Sequence, residues 1–100
     1  MVTKIVIDRT LQFLKEMAKQ AVVTIDGQDS IVSFHSQEIV KDTVKTYVYI
    51  ENGHGQVTAA KLVDAQGIEL DRYTTSIEPS EEGLMIVFTL SVTLKGELQV

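Results

Sequence analysis

The sequence contains two histidines, the side chains that titrate near neutral pH without a strongly perturbing environment. His35 and His54 stand apart, in neither a His-x-His nor a His-x-x-x-His arrangement. Since a zinc site usually draws closely spaced nitrogens from one strand or helix, this spacing predicts no metal site. His54 lies between Gly53 and Gly55, where a partner can approach the backbone closely, so it is an interface candidate.

Other patterns that would support catalysis or cofactor binding are missing from the sequence. No serine stands in a Gly-x-Ser-x-Gly elbow, and residues 53–57 begin like a dinucleotide fingerprint but lack its third glycine. Residues 26–30 resemble the start of a calcium loop without its later glycine and glutamate, which favours a turn. We predict no catalytic, cofactor-binding or metal-binding residues; an enzyme that pairs His54 with a carboxylate stays open as an alternative.

Composition and charge exclude several classes of partner. The chain has 100 residues, a net charge of −5 and no cysteine, and its nine lysines and arginines are scattered. Nucleic-acid binding needs clustered cations, so no nucleic-acid partner is expected. No segment is long and apolar enough to span a bilayer, and the N-terminal apolar run is interrupted by Asp8 and Arg9, so we expect no membrane insertion and a protein made in the cytoplasm.

The N-terminal part of the chain has the period of a helix. Apolar residues at helical spacing predict a short amphipathic helix over residues 10–20, with Asp8 or Thr10 as its N-cap. Residues 3–7 are rich in β-branched side chains and are expected to be extended. The apolar face of the helix consists of Leu11, Leu14, Met17 and Ala18.

From residue 21 to about residue 95 the pattern changes to the period of a strand. Turns are predicted at Asp26-Gly27, Asn52-Gly53 and Asp64-Ala65-Gln66-Gly67, and residues 39–51 are expected to form one long strand. Closely spaced strands joined by such turns favour a mainly β fold, an antiparallel β-sandwich or open barrel with one short N-terminal α-helix. With no linker or repeat, residues 1–100 are expected to form a single domain.

The last predicted strand, residues 84–95, is the clearest element. Apolar side chains occupy every second position from Leu84 to Leu94, and Lys95 is the one charge in the strand. Long uncharged strands invite pairing with other chains when their edges are free. We therefore expect this strand either to be central in its sheet or to have its edge covered by a partner.

Aromatic and apolar residues on the opposite strand faces are the interface candidates. If the alternation holds, Tyr47, Tyr49 and Tyr73 lie opposite the main apolar stripes, and Met85 and Val87 lie on the outer face of the last strand. Tyrosine suits interfaces because it buries a large area while its hydroxyl stays hydrated. The alternative is that the helix covers these tyrosines.

A family resemblance agrees with this pattern. The opening segment, residues 2–6, leads into Leu11-Gln12-Phe13-Leu14-Lys15. A β-rich body follows, in which residues 57–70 contain Asp64-Ala65-Gln66-Gly67-Ile68-Glu69-Leu70. Residues 83–92 close the pattern with an alternating strand. This arrangement resembles the N-terminal domains of tail fibre and baseplate-associated proteins of tailed bacteriophages. The resemblance implies a virion structural component, made in the bacterial cytoplasm and assembled as a homo-oligomer with neighbouring proteins of the phage tail.

Two functions are therefore expected from the sequence. The first is a non-enzymatic phage or prophage tail protein that acts through protein–protein interfaces in attachment or assembly. The second is a small carbohydrate-binding or ligand-binding β-sandwich that uses Tyr47, Tyr49 and Tyr73 as one stacking surface, which requires the three rings to be exposed and coplanar.

Overall fold

The computed structural model describes residues 3–51 and 55–93. One helix precedes seven strands in this part of the chain. The elements are α1 (Lys4–Met17), β1 (Gln20–Ile25), β2 (Gln28–Val32), β3 (Ser36–Val40), β4 (Thr43–Ile50), β5 (Val57–Val63), β6 (Glu69–Ile77) and β7 (Leu84–Ser91).

The strands form two separate antiparallel sheets. Sheet A has the order β2-β1-β5-β6 and sheet B the order β3-β4-β7. This confirms the predicted mainly β fold, and of the two architectures considered it matches the sandwich. The two sheets share one apolar core, to which sheet A contributes Ala21, Val23, Val57, Ala60 and Leu62, and sheet B contributes Val48, Ile50 and Phe88.

The alternation predicted for β4 is confirmed. Val44, Thr46, Val48 and Ile50 are all buried, and the residues between them point to the other face of sheet B. In β7 the alternation also holds, but Phe88 is the one fully buried side chain of that strand. Since β7 lies at the edge of sheet B, its other core-facing residues are covered on one side only.

The helix begins earlier and ends earlier than the sequence predicts. It runs over Lys4–Met17, so the extended conformation expected for residues 3–7 is wrong, and Thr3 occupies the N-cap in place of Asp8 or Thr10. β-branched residues disfavour a helix only slightly, and Ile7 continues the apolar face of Leu11. The helix ends at Met17 because Gln20 already belongs to β1.

A partly buried polar contact attaches the end of α1 to sheet B. The Gln37 side-chain amide donates to the backbone carbonyl of Lys15 over 3.1 Å and to the Thr46 hydroxyl over 3.2 Å. Thr46 is 1% exposed and is the one buried polar residue of the described core. Gln37 therefore satisfies a carbonyl at the end of the helix and the hydroxyl of Thr46 together.

Two of the predicted turns are confirmed. Asp26 and Gly27 both take positive φ, +50° and +82°, which is the geometry of a two-residue hairpin between β1 and β2. In the second turn, the Asp64 carboxylate accepts from the backbone N–H of Gln66 and of Ile68, each over 2.9 Å, and Gly67 has φ +80°. The predicted role of the aspartate side chain is thus realised.

The other two predictions about the chain path are wrong. Residues 39–51 do not form one strand, because Lys41 adopts φ +57° and reverses the chain between β3 and β4. No glycine marks that turn, and Asp42 is the one residue in it that favours a turn. The Asn52-Gly53 pair does not join a hairpin, since β4 belongs to sheet B and β5 to sheet A; residues 52–54 themselves lie outside the described residues.

Candidate interaction surface

Strand β7 lies at an edge of sheet B. It pairs with β4 in an antiparallel register that runs without a shift from Thr43↔Ser91 to Ile50↔Leu84. Among the described residues no strand pairs with its other side. Of the two outcomes expected for this strand, a central position is therefore excluded, and positions 94 and 95 of the predicted strand lie outside the described residues.

The hydrogen-bond pattern shows which backbone groups of β7 face the free edge. The N–H of Val92 donates to the Asp42 carbonyl over 3.0 Å, which makes the neighbouring pair Thr43↔Ser91 a non-hydrogen-bonded one. Because the pattern alternates, the N–H and C=O groups of Met85, Val87 and Thr89 point away from β4. These groups form the unpaired edge of sheet B.

One of these edge groups has a side-chain partner from the other sheet. The hydroxyl of Tyr73, on β6, donates to the Val87 carbonyl over 2.5 Å. The Tyr73 ring also packs on Phe88, with ring centroids 5.3 Å apart. A single tyrosine thus links the edges of sheets A and B.

The four edge strands differ in how they are protected against pairing with another chain. β2 and β3 have five residues each and carry Asp29 and Glu38. β6 carries Glu69, Asp71 and Arg72, and its register with β5 shifts at two places. Short length, charges and bulges all discourage strand addition. The eight residues of β7 have none of these features.

Four of the predicted interface residues meet on the outer face of sheet B. Tyr47 lies directly opposite Val87, and Tyr49 directly opposite Met85, so these are successive cross-strand pairs on the same face of sheet B. Met85 is 43% exposed and Tyr49 is 40% exposed, so the patch is accessible. We call these four residues the outer patch; it borders the free edge of β7.

A shallow groove runs along the free edge of β7. It has a volume of about 310 Å³, and its lining includes Tyr73 and Ile77 from β6 and Leu84, Met85, Ile86 and Val87 from β7. Apolar side chains thus flank the unpaired backbone groups on the side of sheet A. Such a combination of free backbone donors and acceptors with an apolar groove suits an added strand.

Tyr73 does not lie where the sequence predicts. It stands opposite the buried Ala60 in the register of β5 and β6, so it belongs to the core-facing side of sheet A. Its position at the edge strand leaves 41% of the residue exposed while its ring packs on Phe88. The three tyrosines consequently do not form one surface, because Tyr47 and Tyr49 lie on the outer face of sheet B.

Tyr49 fastens the loop that precedes β7. Its hydroxyl donates to the Glu82 carbonyl over 2.8 Å, and its ring lies against Gly83, which has φ +87°. A Cβ at position 83 would collide with the Tyr49 ring and hydroxyl. The sequence shows a glycine after an acidic loop but contains no signal for this contact.

Tyr47 is held by a carboxylate on the adjacent strand. Its hydroxyl donates to Glu38 over 2.6 Å. This hydrogen bond to Glu38, with the negative charge of the same carboxylate, raises the pKa of Tyr47 above its ordinary value of 10.0. The contact stabilises the protonated phenol and orients the ring within the outer patch.

Side chains able to bind a metal ion do not cluster within residues 3–51 and 55–93. No group of three His, Cys, Asp or Glu residues able to hold a metal ion is found there. His35 lies near Tyr49, with ring centroids 6.4 Å apart, and His54 lies outside the described residues. Across the same part of the chain, no helix has the length and apolarity needed to cross a membrane.

The fastening of the loop by Tyr49 can be tested with two glycine variants. Gly83→Ala should destabilise the fold by about 2–3 kcal/mol, because it combines left-handed strain with displacement of Tyr49. Gly67→Ala is the matched control: φ is +80°, but a Cβ there meets nothing within 4 Å, so about 1 kcal/mol is expected from strain alone. Urea unfolding measures both, and equal losses would contradict the role of Tyr49.

The Tyr47–Glu38 contact can be tested by titration. Glu38→Gln removes the negative charge, so the pKa of Tyr47 should fall toward 10.0. In the native chain the contribution of this contact to stability is present at neutral pH and is lost as the pH rises through the raised pKa of Tyr47. Ring NMR signals of Tyr47 report the pKa; an identical titration in both proteins would show that Glu38 does not act on Tyr47.

Comparisons with known proteins do not identify a relative for this chain. Searches with protein-family models, among curated proteins and among solved structures find no significant match. The resemblance to phage tail proteins stays a prediction. The function has to be inferred from the β7 edge and the outer patch.

Proposed function

We propose that this chain is a non-enzymatic structural or assembly protein that acts through protein–protein interfaces. The observation that carries the proposal is the edge of β7, an eight-residue strand without a charge whose outward backbone groups have no strand partner in the described part of the chain. In a monomer such an edge promotes uncontrolled pairing, whereas in an assembly it is a binding site.

The outer patch and the groove support the same role. Both border the β7 edge and share Met85 and Val87, so an added strand would contact apolar side chains of the outer patch and of the groove. Interfaces are enriched in tyrosine and methionine and depleted in charge at their centres. Tyr47, Tyr49 and Met85 fit that composition.

The setting that we propose is a phage or prophage tail, and it rests on the resemblance of the sequence to tail fibre and baseplate-associated N-terminal domains. The partners would be other copies of the chain and neighbouring tail proteins. An assembly role agrees with a two-layer sandwich in which the outer patch and the groove lie at the same sheet edge.

The carbohydrate-binding or ligand-binding alternative has less support from the geometry. A stacking platform would need Tyr47, Tyr49 and Tyr73 on one surface, and Tyr73 lies in the other sheet. Each of the three hydroxyls also donates to a group of the chain itself. The three tyrosines therefore stabilise the fold through these hydrogen bonds and are not arranged as one stacking surface for a ligand.

Sedimentation velocity over a range of concentrations tests the proposal. The wild-type chain, alone or mixed with the proteins encoded beside its gene, should form species larger than the 11.1 kDa monomer. Met85→Lys places a charge in the outer patch beside the β7 edge and should weaken association about tenfold or more.

Ile68→Lys is the matched control. Ile68 is 58% exposed in the turn between β5 and β6, so the substitution also replaces an exposed apolar residue with lysine, but outside the outer patch and the groove. It should leave association unchanged. A chain that stays monomeric at high concentration and forms no complex with the proteins encoded beside it would contradict the proposed function.

A further inference from the structure

We infer that the β7 edge binds the β7 edge of a second copy of this chain, antiparallel and about a twofold axis, so that two copies of sheet B join into one continuous sheet. The inference rests on the proposed role as a protein that acts through its interfaces, and it names the partner and the geometry. The one-sided burial of β7 and the alternation of its hydrogen-bonding groups carry the argument.

The first step concerns the kind of strand that the edge accepts. Core-facing residues Leu84, Ile86 and Leu90 are half-buried, so an added strand must place apolar side chains beside them. On the outer face it must place uncharged residues beside Met85 and Val87. Among the described strands, β7 itself meets both requirements, whereas the other three edge strands carry charges.

The second step concerns closure. When β7 pairs with β7 of a second copy, one contact covers the exposed edges of both copies. Pairing of β7 with a different edge of the second copy would leave one β7 free and allow open-ended growth. The twofold arrangement is thus the one that removes the unprotected edge completely.

The third step fixes the register. Only Met85, Val87 and Thr89 and their odd-numbered neighbours direct N–H and C=O groups outward, so these residues must occupy the hydrogen-bonded positions. The centre of Leu84–Ser91 falls between Val87 and Phe88. Two registers follow. In one, the twofold axis lies between the two copies of Val87, which pair with each other. In the other, it lies between the two copies of Phe88, and Val87 of each copy pairs with Thr89 of the other.

The fourth step concerns charge. The loop before β7 carries Glu81 and Glu82, both exposed, and the chain has a net charge of −5. Antiparallel pairing places the loops of the two copies at opposite ends of the joined strands, roughly 27 Å apart for eight residues. Parallel pairing would bring the loops together, so repulsion favours the antiparallel arrangement.

Tyr73 shows how the edge is occupied in the single chain. Its hydroxyl donates to the Val87 carbonyl, where the N–H of an added strand would donate. A carbonyl oxygen has two lone pairs, so it can accept from both groups, or the phenol can move aside as the second copy binds. The Val87 carbonyl, at the centre of the proposed contact, thus already accepts a hydrogen bond from a residue outside sheet B.

Single cysteines test the register directly, because the chain has none of its own. In hydrogen-bonded pairs the Cβ atoms lie about 5.5 Å apart, farther than a disulfide spans, so a short bismaleimide is used to join the two thiols. Val87→Cys should cross-link with itself fastest if Val87 pairs with Val87, and a mixture of Val87→Cys and Thr89→Cys should cross-link fastest if Val87 pairs with Thr89. Ser36→Cys, exposed on the opposite edge strand β3, is the matched control and should not cross-link.

A proline variant tests the backbone groups. Thr89→Pro removes an N–H that makes no bond to β4, so each chain should keep its fold while the dimer dissociates. Thr89→Val keeps that N–H and should still dimerise. Circular dichroism and thermal unfolding check the fold, and sedimentation velocity measures the loss of the species with twice the monomer mass of 11.1 kDa.

The outcomes separate this inference from the proposed function. Cross-linking at position 87, alone or with position 89, together with loss of the dimer in Thr89→Pro, supports the β7 contact. A self-associating chain with no such cross-link, or one that cross-links equally through Ser36→Cys, overturns the β7 contact and leaves the proposed function standing. A chain that is monomeric alone yet binds a protein encoded beside it also overturns the β7 contact and leaves the proposed function standing. A chain that binds nothing contradicts both the β7 contact and the proposed function.

Discussion

Burial of one face of each sheet against the other is the interaction on which the rest of the structure depends. Strands that contribute to the core turn alternate side chains toward it, and this requirement fixes the register of β1 and β4. The same packing turns the remaining side chains outward and so assembles Tyr47, Tyr49, Met85 and Val87 into the outer patch. A two-layer sandwich also leaves sheet edges, and the least protected of these is β7.

The edge of β7 illustrates how stability and interaction share the same residues. Phe88 is fully buried because it lies between the two sheets, and Tyr73 closes over it from β6. Its neighbours Ile86 and Leu90 are covered on one side only, since nothing in the described chain continues sheet B beyond them. A partner strand would complete their burial, at about 25 cal/mol for each Å² of apolar surface removed from water.

The alternation of residues is what made the fold class and much of the surface predictable. It identified the buried face of β4 and placed Met85 and Val87 outside the core. The turns were predictable where Gly27 or Gly67 provides the positive φ, and unpredictable at Lys41, where a residue without that preference adopts it. Asn52-Gly53 misled because a local turn signal says nothing about which sheet the next strand joins. The position of Tyr73 depends on the pairing of β6 with β5, a long-range property that no local pattern contains.

Hydrogen exchange of backbone amides, followed as the protein concentration is raised, tests most directly whether the β7 edge is an interface. In dilute solution the amides of Met85, Val87 and Thr89 should exchange rapidly, because their N–H groups face the unpaired edge. At high concentration these three amides should become protected while those at the edge of β3 do not change. Exchange at the three positions that does not depend on concentration, or protection that appears at β3 in their place, would contradict the account.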